Sequence, residues 1–233
     1  MYVITMAIII SIFPAALVTC AAADIAGGMI HQTMKGVEGR DDLMNYVGGP
    51  RGEHSRDVLE KDKEYYLASA DKTYARLELA RSRVDASCIS AEDKAMLNGH
   101  IDRGEAWVSD LKSGIRSSEG SKGFSASVSE VYDAWHIVKM IPQAAEGYAI
   151  TKSIQGRAED IRAQPQLAPE QAAMLDRAET LNERAMSGFL EILNLDTGSD
   201  LKKAESLRVE SYNQASEAHT LIEHALKETS AGK

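Results

Sequence analysis

Aromatic residues make up only 6% of this 233-residue chain, with five prolines and two cysteines, Cys20 and Cys88. So few cysteines exclude a disulfide framework, and the fold must stand on its apolar core. Asn-x-Ser/Thr is absent, which excludes N-glycosylation. Period-two alternation of β-branched residues is missing too, so no segment reads as a strand. Charge of either sign is lacking from Met1 to Ala23.

That uncharged stretch ends in Ala21-Ala22-Ala23 ahead of Asp24, the pattern of an apolar export signal with a small-residue cleavage site. Cleavage after Ala23 is the first expectation, and it would leave Cys88 as a small apolar filler. Two alternatives stand beside it. The segment lacks an early Lys or Arg and reaches the ~20 residues that span a bilayer, as an uncleaved anchor would. Leu17-Val18-Thr19-Cys20 also loosely resembles a lipobox ahead of a lipidated cysteine. All three place the protein outside the cytoplasm, secreted or tethered, with membrane contact only through residues 1–23.

The net charge is −9, and basic residues alternate with acids, as at Arg81, Arg83 and Asp85. Phosphate-backbone binding draws on clustered Lys and Arg, so a nucleic-acid partner is not expected. Residues 24–55 carry Gly27-Gly28, Gly36, Gly39, Gly48-Gly49-Pro50 and Gly52. This glycine density denies a long helix and reads as a flexible spacer.

From residue 56 to about 229 the periodicity is helical. Leu59, Tyr66, Ala70, Thr73, Leu77, Ala80 and Val84 share one face. After a Ser90 cap, Leu97, Ile101, Gly104, Val108, Leu111 and Ile115 follow in four-three alternation, the spacing of a coiled-coil-like seam. A turn at 117–121 leads to a third stretch, Ser125 to about Arg162, with Val128, Val131, Trp135, Val138, Ala145 and Tyr148 inward and Pro142 kinking it or dividing it. Pro165 and Pro169 mark a restart, and Met174, Ala178, Leu181, Ala185, Phe189 and Ile192 define a fourth helix. Leu201, Ala204, Leu207, Ala215, Ala218, Ile222 and Ala225 define a fifth, capped by Ser199 or Asp200. The expected fold is all-α, an antiparallel bundle of about five long helices after an N-terminal export segment.

Glu92, Ala95, Met96, Leu97, Glu105, Ser109, Gly120 and Ser121 recur 78 residues later, which points to duplication of a helical hairpin, although Ile101 then falls opposite Glu179. Ala185 to Asp196 resembles the second helix and turn of a tetratricopeptide repeat over about a dozen residues. The Trp-x-x-Leu-Gly-x-x-Tyr half is missing. The resemblance implies peptide binding as a minor reading and no site residues.

For chemistry, Asp133 and His136 are spaced to point from one helix, as are His219 and Glu223 beside His224. These four are the candidate metal ligands, although the Glu-x-x-His of di-metal bundles is absent. Nucleophile elbows and haem-attachment motifs are also absent. Carboxylates such as Asp57, Glu60 and Glu64 lie among Arg56, Lys61 and Lys63, as on a solvated face. No cofactor is expected. The leading expectation is a non-enzymatic exported scaffold, adaptor or envelope-associated binding protein that acts through a protein partner or self-association. A metal- or small-ligand-binding bundle is the alternative.

Overall fold

A computed structural model describes residues 56–231 apart from 165–166 and 197–198. The export segment, Cys20 and the glycine-rich spacer lie outside the described residues. Five helices follow in order: α1 (Arg56–Ala86), α2 (Ala91–Ser117), α3 (Gly120–Arg162), α4 (Pro169–Leu193) and α5 (Leu201–Ala231). Among the described residues there is no strand, and no helix is long and apolar enough to cross a membrane.

Local chemistry sets the boundaries. The Ser90 hydroxyl accepts the Asp93 amide at 3.0 Å and caps α2, as the sequence predicts. Asp200 rather than Ser199 caps α5, its Oδ1 accepting the Lys202 amide at 2.9 Å. Pro169 opens α4, where a missing N–H costs no helical bond. The turn expected at 117–121 is tighter in fact, because Gly120 at φ 66° already begins α3 and extends it five residues beyond Ser125. α3 is one helix of 43 residues with Pro142 inside it, not two. At 1.5 Å per residue it is about 65 Å long.

α1 and α2 form one hairpin and α4 and α5 another. Both pack on α3, with little contact between the two hairpins. The first lies along the N-terminal part of α3, from the Tyr66–Phe124 ring contact to the Tyr148 hydroxyl, which donates to Asp93 at 2.8 Å. The second lies further along, from Tyr212, which donates to the Gln143 carbonyl at 2.6 Å, to Arg162, which donates to Glu179 at 2.7 Å. Their closed ends overlap beside residues 143–148. Accordingly α3 is buried on every side there: of residues 134–151, all but Lys139 and Gln143 are buried.

The predicted seams of α1 and α2 form the core. Every apolar position named on α2 is buried, as is Gly104, whose missing side chain lets α2 approach Leu77 and Ile141. The α4 face differs from expectation by one residue at two places. Leu175 and Asn182 point inward where Met174 and Leu181 were expected. Asn182 can do so because its amide donates to the Thr151 carbonyl at 2.9 Å. Cys88 does not act as a filler: it is exposed at the α1–α2 corner and is not a free thiol.

Candidate functional site

The four candidate metal ligands lie on two helices whose register is fixed by side-chain contacts. Arg208 and Tyr212 of α5 reach Gln143 of α3, and Arg157 pairs with Glu223 at 2.6 Å. α3 and α5 therefore run parallel, offset by some 66 residues. His136 then lies level with the first turn of α5, about 24 Å along the axis from His219. The structure brings together His219 and Glu223, and places Asp133 and His136 on one turn of α3, but the two pairs do not converge. Glu223 is held by Arg157, a residue that sequence spacing could not associate with it. Among the described residues no group of three or more His, Cys, Asp or Glu side chains is placed to hold a metal.

Burial pushes His219 below the usual histidine range; the Arg157 charge adds to this, and Glu223 opposes it. His219 Nδ1 and Arg157 Nη1 are buried without protein partners. This half-buried triad is a polar clasp between α3 and α5.

A second polar group sits where the hairpin ends overlap. Glu146 is buried, and both of its oxygens accept from Arg83 Nη1 at 2.9 Å. Burial raises the Glu146 carboxyl above the ordinary range while the Arg83 charge pulls it back. Tyr212 is raised by burial and by the nearby Glu146 charge. Tyr148 is pushed up to about 12 by burial and by its bond to Asp93. Arg103 crosses from α2 to donate to the Leu193 carbonyl at the end of α4. Each of these groups has a structural partner.

An open groove of about 620 Å³ runs along α1 and α2, lined by Tyr74, Ser109, Lys112, Ser113, Arg116 and Ser117. Its two cations are largely offset. Lys112 pairs with Asp71 at 2.5 Å, and Arg116 lies in the last turn of α2, where the helix end carries about half a negative charge. The groove has the chemistry of a solvated helix face.

The outer side of α1 is different. Tyr65, Tyr74 and Leu79 are three of the four large apolar side chains most exposed among the described residues. Tyr65, Ala68, Lys72, Ala75 and Leu79 are all exposed and recur at three- and four-residue intervals. They lie opposite the buried line of Ala70, Leu77 and Val84. Among the described residues α1 therefore has two seams, one covered by α2 and α3 and one exposed. The sequence carried this signal as a second periodic row on the same segment.

No protein-family model, curated protein or solved structure matches the chain.

Proposed function

We propose that the protein is a non-enzymatic helical scaffold or adaptor, exported on residues 1–23, that works by protein contact through the outer face of α1. The observation that carries this reading is the second seam of α1. A helix packed on one side needs one apolar row. A further exposed row of Tyr65, Ala68, Ala75 and Leu79 serves contact, since exposed apolar rows rimmed by charge mark interaction surfaces.

The 78-residue recurrence lays α2 over α4 and the start of α3 over that of α5, so it fits duplication of an α2–α3 helix pair and not of the α1–α2 hairpin. Leu97, Gly104 and Leu111 are buried, as are their counterparts 78 residues on, Leu175, Asn182 and Phe189. Ile101, Val108 and Ile115 instead match Ala178, Ala185 and Ile192 at 77, so the drift at Ile101 is a single residue.

A photo-cross-linking side chain placed at Ala75, with Thr220 on the exposed face of α5 as control, tests the contact reading in the native host. Covalent protein adducts should form at Ala75 and not at Thr220. Equal labelling at both positions, or none at Ala75, would remove the support for α1.

A further inference from the structure

The charges beside the outer seam of α1 specify which partner it takes. In a seven-residue repeat, Tyr65, Lys72 and Leu79 occupy the first core position, and Ala68, Ala75 and Ser82 the second. Glu64, Asp71 and Glu78 then form an acidic row along one flank. Ser69, Arg76 and Arg83 form a neutral-to-basic row along the other. All the core positions are exposed, as are Glu64, Asp71, Arg76 and Glu78.

In a parallel pair of identical helices, each acidic-flank residue faces the residue five positions on in the other copy. Asp71 then meets Arg76 and Glu78 meets Arg83, twice each by symmetry. In an antiparallel pair the acidic flank would meet itself, which disfavours that arrangement. Arg83 can serve both contacts, because it holds Glu146 through Nη1 alone and Nη2 has no partner among the described residues. The alanines at 68 and 75 permit close approach. Lys72 is the one polar residue at the first core position and Ser82 the one at the second; a lysine at the first fixes register and oligomer state.

We propose that the outer face of α1 pairs in parallel with α1 of a second copy of this chain, giving a two-fold dimer. The inference rests on the reading of this face as a contact surface, and it names the occupant.

Light scattering on the full chain in mild detergent at high micromolar concentration tests it through charge reversal. The native chain should show the mass of two copies. Asp71→Arg and Arg76→Glu should each raise the dimer dissociation constant about tenfold or more, since each places two like-charge pairs across the seam. Mixing the two variants restores opposite charges in both pairs and should restore the two-copy mass. Should Asp71→Arg lose helix through its Lys112 contact, Glu78→Lys, which has no intrachain partner among the described residues, gives the same measurement. A native chain of single-copy mass, or a dimer indifferent to these substitutions, overturns the proposal. If Ala75 cross-links to a different protein instead, the contact reading stands and the self-pairing fails.

Discussion

At the residue scale, Gly147 shows how closely the second hairpin sits on α3. A Cβ on Gly147 would lie 2.4 to 2.8 Å from three atoms of the Phe189 ring. That ring is fully buried and edge-on to Tyr212 at 4.9 Å, so it cannot give way. Gly147→Ala should lower stability by about 1–3 kcal/mol in urea titration, despite the better helix propensity of alanine. Gly156 meets nothing within 4 Å, and Gly156→Ala should instead raise stability by about 0.5–1 kcal/mol. Removing Arg83 leaves the buried Glu146 carboxylate without its partner. Because Arg83 is about one-third exposed, Arg83→Ala should cost about 2 kcal/mol rather than the full buried-pair penalty, and Glu146→Gln in the same chain should recover part of it.

His219 and His100 give the molecule an acid-sensitive range. Burial lowers both folded-state values, so the unfolded chain takes up a proton first as pH falls through its ordinary value near 6.5. Their contribution to stability is present above that pH and is lost below it. Glu146 works in the opposite sense at lower pH, since its raised value favours a proton in the folded chain. The urea midpoint should therefore fall between pH 7.5 and 5.5, and His219→Gln should flatten that fall. An unchanged slope in the variant would contradict the role of His219. These partners were invisible in the sequence. The i, i+4 spacing of His219 and Glu223 was legible as a shared helix face, but Arg157 lies 62 residues before His219 and comes beside it only through the parallel packing of α3 and α5.

At the scale of the element, helix ends follow local rules that the sequence displays. Ser90 is the clearest case, and Ser90→Ala should cost about 1 kcal/mol in thermal or urea unfolding through loss of the α2 cap. The buried faces of α1 and α2 were readable for the same reason, since each helix packs on the core on one side and its buried residues recur on one row. α3 was less readable. Its run from Ala134 to Ile150 is apolar nearly all round, and such a run signals a helix enclosed on every side rather than an amphipathic one. Pro142 pointed to a kink or a division, and α3 continues through it as one helix. A proline removes one helical bond, the one from its own missing N–H to the Val138 carbonyl. Packing by both hairpins on the same stretch outweighs that loss.

For the whole molecule, the overlap of the two hairpins on α3 makes each depend on the other. Separating either would expose the same buried stretch, so unfolding should be a single transition. Trp107 and Trp135 both report on the first hairpin and α3, and their rings lie 6.0 Å apart. Phe189→Ala, in the second hairpin, should cost about 3–5 kcal/mol and shift the tryptophan-reported midpoint as far as the far-UV circular dichroism midpoint. Two separated midpoints would show that the hairpins unfold independently.

The sequence by itself determined the all-α class, the five helices of the described residues, most of their boundaries and most of the inward rows. These are matters of local propensity, capping and periodicity, written within a few turns of chain. It also contained the outer row of α1, because that row is periodic too. Only the tertiary structure decided that both hairpins clasp one stretch of α3, that α3 and α5 run parallel in a register that keeps His136 far from His219, and that Glu223 belongs to Arg157. Such facts depend on pairing between residues tens of positions apart, and many apolar rows of similar width could have met in other combinations. The choice among them was made by close-fitting contacts such as Gly147 against Phe189, which involve shape at a distance in sequence and leave no periodic trace.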